Sequence, residues 1–182
     1  MLAPAQAWEV LRSAERLCST AAVTQALHRV AADITRTLAA DNPLVLCVLG
    51  GGVVFAGQLL PLLNFPLDFD YLHLTRYGNG IHGGRVEWKM FPDLAVAGRT
   101  VLAIDDILDE GHTMAEIRGR ALAGGAARFC SAVLVDKEIG RPKPVAADFV
   151  GVKLPNRYLF GFGMDIKGAW RNLPEIYALK QD

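Results

Sequence analysis

Between Val101 and Thr113 the chain places four apolar residues, then Asp105 and Asp106, then Ile107 and Leu108, then Asp109, Glu110, Gly111, His112 and Thr113. The apolar run Val101–Ile104 reads as a strand buried on both faces, as strands of parallel sheets are. From Met114 the pattern reads as a helix with Thr113 near its start. A strand tip, a Gly-containing turn and a helix N-terminus together make an anion site, because free backbone N–H groups and the helix dipole favour a phosphate. The neighbouring carboxylates accept hydrogen bonds from sugar hydroxyls or hold the waters of Mg²⁺. Unpaired carboxylates on a buried strand repel and must stay hydrated, so stability alone gives no reason for Asp105 beside Asp106. A plainer explanation, the wet end of a strand followed by a capping turn, covers one acid more easily than three.

The elements that must position these residues are legible on either side. Leu44–Leu49 is a second buried strand, and it runs into Gly50, Gly51 and Gly52 ahead of an apolar helix from Val53. Glycines between strand and helix let backbone N–H groups approach a phosphate. An ordinary tight turn explains them equally well in isolation, since no P-loop ending and no GxGxxG is present. With both strands in one parallel sheet, the two loops open at the same carboxyl edge. Val23, Leu27, Val30, Ile34 and Leu38 mark an amphipathic helix that Pro43 helps to end. Leu67–Thr75 reads as a strand, and the Gly-rich segment from Arg76 to Arg85 as a long hairpin or lid leading into Val86–Phe91. Ala127–Val135 is a strand that delivers Asp136 and Lys137 at its end, and Phe149–Leu154 is another. Residues 5–18 offer only a short helix and a stretch of strand or coil, and the ordered chain is expected to close around Trp170–Pro174. Strands alternating with helices over 44–135 predict an α/β fold with a right-handed parallel sheet.

The stretch from Val101 to Thr113 resembles the phosphoribosyl-diphosphate (PRPP) signature of type I phosphoribosyltransferases: an apolar strand, two acids, two apolar residues, Asp, Thr, Gly, any residue, Thr. Glu110 departs from it, standing where the family has Thr, and is expected to point away from the 5′-phosphate. The later run, Val135 to Lys137, Asp148 to Val152, and Pro155 through Tyr158 and Asp165 to Arg171 and Pro174, is similar to hypoxanthine-guanine phosphoribosyltransferases. The resemblance implies a Rossmann-like core with helices on both faces, a flexible catalytic loop and a small hood built from the chain termini. It implies one domain over 1–182, with the core at about 20–135 and the hood at about 1–18 and 136–182. It implies PRPP binding by Asp105, Asp106, Asp109, Glu110, Gly111, His112 and Thr113, and pyrophosphate binding by Gly50, Gly51 and Arg171. Lys137 would donate to the 6-oxo oxygen of a purine, Tyr158 would stack on the ring, and Leu159 would offer backbone groups to its edge. Asp165, which borders the purine site, would hold Mg²⁺, with Asp105 and Asp106 holding metal waters. Arg76 and Tyr77 would stand at the base of the lid, with Arg76 in place of the family's Ser, as Gly50 is in place of its Lys. Asp109 is the candidate catalytic residue, taking up the N7 proton. Singly, these residues have ordinary explanations: Lys137 as a solvated charge, Tyr158 as core, Asp165 and Arg171 as a surface pair. Jointly, at these spacings, they do not.

The implied activity is Mg²⁺-dependent transfer of a phosphoribosyl group from PRPP to a 6-oxopurine, in a cytoplasmic homodimer or homotetramer. The rival is a regulatory protein of the same fold that senses PRPP or nucleotide. Composition is compatible with both. At 182 residues, 52% hydrophobic and 21% charged, the chain can bury a core, and its zero formal net charge gives no general attraction to nucleic acid or anionic membrane. Cys18, Cys47 and Cys130 lack metal-ligand spacing, and Cys47 and Cys130 sit in apolar runs as small core residues. His73 and His82 have no second ligand set and read as solvated or structural.

Overall fold

The computed structural model describes residues 1–77, 85–91 and 95–180. In chain order its elements are α1 (Pro4–Ser13), β1 (Glu15–Cys18), α2 (Thr20–Leu38), β2 (Leu44–Leu49), α3 (Gly52–Leu59), β3 (Asp68–Tyr77), β4 (Arg85–Met90), β5 (Thr100–Leu108), α4 (His112–Ala123), β6 (Arg128–Glu138), β7 (Phe149–Pro155), β8 (Leu159–Phe160) and β9 (Ile176–Ala178). A six-stranded sheet has the order β4-β3-β2-β5-β6-β7, and a three-stranded sheet the order β1-β9-β8. Within the larger sheet every neighbouring pair is parallel except β3 with β4. From β2 the chain moves outward to β3, and from β5 it moves outward to β6 on the other side. The crevice beyond the carboxyl ends of β2 and β5 is therefore the switch point where α/β sheets bind ligands.

Helices cover both faces of this sheet, as expected. On one face α2 and α3 pack on Val45, Cys47, Leu102 and Ile104. On the other, Met114 and Ile117 of α4 pack on Leu44, Leu46, Val101 and Ala103. The period of α2 explains its place: Val23, Leu27, Val30, Ile34 and Leu38 are buried along one stripe. Each large side chain so buried contributes about 1.5–3 kcal/mol of transfer free energy. Ser19 caps this helix by accepting from the Ala22 N–H at 3.3 Å.

Four expectations need correction. The central strand does not stop before the acids, since β5 runs on through Asp105 and Asp106 to Leu108. The larger sheet extends through β7 to Pro155, past residue 135 where the core was expected to end. The ordered chain does not close at Pro174, because β9 follows and pairs with both β1 and β8. Helix α4 begins at His112, one turn-forming glycine after Glu110. The hairpin of β3 and β4 is antiparallel, with Arg76 and Tyr77 ending β3. The tip of the expected lid, residues 78–84 with His82, lies outside the described residues.

Candidate active site

Asp105 and Asp106 are buried, 9% and 8% exposed, on a strand that is otherwise apolar through Leu108. Burial and then the charge of Asp106 hold the Asp105 carboxyl well above the usual range. Burial also raises Asp106, opposed first by its hydrogen bond with Asp105 and then by the pull of the Arg171 guanidinium. Successive strand residues face opposite ways, which would separate the two acids. The alternation slips here: Leu102, Ile104 and Ile107 face α2 and α3, while Val101, Ala103 and Leu108 face α4. Across that slip both carboxylates border one hollow.

Close backbone approach explains the glycines around them. A Cβ at Gly51 would overlap the Asp106 carboxylate, and one at Gly163, whose φ is +102°, would overlap the Gly51 carbonyl oxygen. Gly51 is thus the member of the Gly50–Gly52 turn that presses on the acids, whereas a Cβ at Gly50 would meet nothing within 4 Å. The Leu49–Gly50 peptide is cis. Beneath the turn, burial and then the charges of Asp105 and Asp106 push the Cys47 thiol up to about 12, which leaves it a protonated core residue.

Two hollows meet at Asp106 and Asp109. The first, of about 180 Å³, is lined by Asp105, Asp106, Asp109 and the run Glu110–Met114 at the N-terminus of α4. Gly111 makes that turn with φ +83°, and its missing Cβ leaves room for Lys143 at 3.3 Å. Glu110 is paired with Arg141. The second hollow, of about 230 Å³, is lined by Asp106, Asp109, Lys137, Tyr158, Leu159, Asp165 and Arg171, with Ile107 and Met164 as its apolar wall. In it Lys137 Nζ donates to Asp109 Oδ2 at 3.0 Å. Tyr158 presents an exposed ring, and its hydroxyl donates to the Asp165 carbonyl at 3.3 Å. Arg171 Nη2 is 2.5 Å from Asp165 Oδ1, while Asp165 Oδ2 accepts from the Gly168 N–H at 2.6 Å.

All the residues named from sequence in the central motif, together with Lys137, Tyr158, Leu159, Asp165 and Arg171, therefore border one of two adjoining spaces. Nothing is described of the Arg76 and Tyr77 side chains. Lys143 was missed as a site residue: its Nζ donates to the Leu108 carbonyl and to Asp136 Oδ1, both at 2.6 Å, pinning the loop after β6 onto the end of β5. Its only signal was a lysine between two prolines. Among the described residues no three His, Cys, Asp or Glu side chains converge as a metal cage. The buried pair Asp105 and Asp106 with Asp165 suits a hard cation that brings its own water and phosphate ligands.

Comparisons with known proteins agree with this geometry. The model of the phosphoribosyl transferase domain family matches residues 13–167. A hypoxanthine-guanine phosphoribosyltransferase of Streptococcus thermophilus is 34% identical over 150 residues, covering 82% of this chain and 83% of that protein. A hypoxanthine-guanine-xanthine phosphoribosyltransferase of Tritrichomonas foetus is 32% identical, covering 87% of each chain. Among solved structures, a hypoxanthine phosphoribosyltransferase of Staphylococcus aureus superposes with a TM-score of 0.86 at 25% identity, covering 91% of each chain.

Proposed function

Since the chain belongs to the phosphoribosyl transferase domain family, we propose that it transfers the phosphoribosyl group of PRPP to N9 of a 6-oxopurine, hypoxanthine or guanine, with release of pyrophosphate. The observation that carries this reading is the junction of the two hollows. A hollow rimmed by N–H groups and carboxylates suits a phosphorylated sugar, and the adjoining one is lined by both an ammonium and an aromatic ring, which suit a flat oxo-bearing base.

In this scheme the ribose hydroxyls face Asp105 and Asp106, and the 5′-phosphate meets the N–H groups of Gly111–Thr113. Tyr158 stacks on the purine, and the Leu159 backbone reads its edge. Lys137 donates to the 6-oxo oxygen; facing the amino group of adenine, its N–H would be left unpaired. Lys137 is bonded to Asp109, so the arriving oxo group takes over the ammonium and Asp109 turns to the purine N7. As N9 forms its bond to C1′, the C1′–O bond to pyrophosphate breaks and positive charge develops on the ribose. Asp109 accepts the N7 proton as this happens. Arg171 and the Gly50–Gly51 backbone hold the leaving pyrophosphate. Asp165, Asp105 and Asp106 would hold Mg²⁺, which would supply charge neutralisation to the leaving oxygens.

The working protein is inferred to be a cytoplasmic homodimer or homotetramer. Among the described residues no helix is long and apolar enough to cross a membrane. Incubation with PRPP, Mg²⁺ and each of hypoxanthine, guanine, xanthine and adenine tests the reading. Nucleotide and pyrophosphate should form with oxo bases and not with adenine. Lys137→Ala should weaken oxo-base binding by about 1–3 kcal/mol, the cost of losing a charged hydrogen bond, and PRPP binding much less. Turnover of adenine alone, or of no base, would overturn the assignment.

A further inference from the structure

The two side chains given work on the purine, Asp109 and Lys137, stand just past the end of the ladder that joins their strands. The pairing of β5 with β6 runs as far as Leu108 and Asp136. Asp109 and Lys137 are the next residues on each side, and they meet through the 3.0 Å hydrogen bond that the base must take over. Once that bond is exchanged, their separation depends on whatever fixes Leu108 and Asp136. Lys143 fixes both. Its Nζ donates to the Leu108 carbonyl and to Asp136 Oδ1, each at 2.6 Å, so one ammonium spans the last rung of the ladder. The Lys143 side chain is only 12% exposed. A charge so far out of water resists displacement, because moving it off its partners leaves it unpaired. Its stem is fixed as well. Pro142 and Pro144 restrict the backbone on either side. Lys143 Cβ and Pro144 Cδ lie over the turn at Gly111, 3.3 and 3.4 Å from where a Cβ on that glycine would stand.

We propose that Lys143 is a positioning residue for the transfer step. By tying Leu108 to Asp136 it keeps Asp109 and Lys137 at the spacing that lets one purine meet both. N7 and the 6-oxo oxygen lie on the same edge of the ring, so the proton acceptor and the oxo-binding ammonium must be set against that edge together. Lys143 touches neither substrate nor reacting atoms. It acts through the ends of two strands, and a small misplacement of a catalytic group is enough to slow a reaction.

This rests on the phosphoribosyltransferase reading, and the test separates the two. The kcat and the KM values for guanine and PRPP are measured for wild type, Lys143→Met, Asp136→Asn and Asp109→Asn, and for Lys143→Met and Asp136→Asn each combined with Asp109→Asn. Thermal melts show which variants are folded. Methionine keeps the stem over Gly111 and removes the ammonium. Lys143→Met should raise the guanine KM and lower kcat, each about tenfold, the scale of one charged hydrogen bond, with the PRPP KM unchanged. In the Asp109→Asn background the kcat loss should shrink to less than about twofold, because the acceptor that Lys143 positions is already gone. Asp136→Asn, which leaves Lys143 its bond to Leu108, should show the same pattern with smaller losses, and it decides the matter if Lys143→Met does not fold. If Lys143 only fastens its loop, the PRPP KM will rise along with the guanine KM, or kcat will fall by the same factor with and without Asp109. Either result, or unchanged guanine KM and kcat in the folded variants, overturns the role given to Lys143. A folded wild type that makes no nucleotide from PRPP and any oxo base overturns the phosphoribosyltransferase reading beneath it.

Discussion

The side chains of the site stand in pairings with one another that substrate must exchange. Lys137 and Asp109, both given work on the purine, hold each other at 3.0 Å. Asp109→Asn keeps size and hydrogen bonding but cannot accept a proton. It should lower kcat by roughly 10²-fold, the usual scale for a general base, with PRPP affinity little changed. Wild-type turnover by this variant at saturating substrates would remove Asp109 from the chemistry. The buried acids have a different signature. Both Asp105 and Asp106 have raised folded-state pKa values, Asp105 the more strongly. Between the unfolded value of about 4 and the raised value, the folded state holds more protons than the unfolded chain. Unliganded stability therefore falls as pH climbs through that window. Asp105→Asn removes this contribution, so its thermal midpoint should vary less than that of wild type as pH climbs above the unfolded-state value. Its PRPP requirement should rise at the same time. A variant melting with the wild-type pH slope would place the source of the slope elsewhere.

At the scale of elements, the site depends on backbone segments that touch without side chains between them. The turn into α3, the strand β5 and the segment after β8 converge where Gly51, Asp106 and Gly163 meet. Gly51→Ala forces its methyl group into the Asp106 carboxylate. Either the turn or the acid must move, at the 1–3 kcal/mol typical of overpacking. A raised PRPP KM together with a lowered thermal midpoint is expected. Gly57, on the exposed side of α3 with nothing within 4 Å of its would-be Cβ, is the contrasting case. Gly57→Ala should raise stability by about 0.5–1 kcal/mol through helix propensity alone. Equal thermal shifts in the two variants would mean that crowding at Gly51 is not felt. A separate brace joins the two ends of the chain: Trp8 of α1 packs edge-on against Trp170 at 4.9 Å, and Trp170 Nε1 donates to the Ala7 carbonyl. That contact holds α1, which buries none of its own residues, beside the Asp165–Arg171 segment.

For the molecule as a whole, one exposed apolar surface among the described residues is the outer part of β3. Phe69 is 47% exposed and Tyr71 39% exposed, two residues apart and so on one face of the strand. Aromatic rings left in water on a strand are the kind of surface that association covers. If the inferred homo-oligomer uses them, Phe69→Ser with Tyr71→Ser should lower the mass found by sedimentation, while the monomer keeps its helical signal. An unchanged mass would put the interface elsewhere.

Much of this was legible in one dimension because it rests on local rules. Burial periodicity placed α2 and β2, and the order apolar strand, acids, glycine and helix start marked a candidate anion site before any contact was known. Lys137, Tyr158, Asp165 and Arg171 were also named in advance, though through resemblance and not through spacing. The strand β9 escaped notice because three residues, Ile176–Ala178, carry too little pattern to separate a strand from a tail. The central strand was cut short because an acid normally ends a buried run, and nothing local shows that the pleat slips to carry two of them inside. Which charges pair was decided only by tertiary structure. The parallel register that sets Leu108 beside Asp136 brings Lys137 to Asp109, 28 residues away. The loop that follows carries Arg141 back to Glu110, 31 residues away. Sequence marked Glu110 as a departure from the PRPP signature; only the packing of the β6–β7 loop against β5 decided that Arg141 pairs with it.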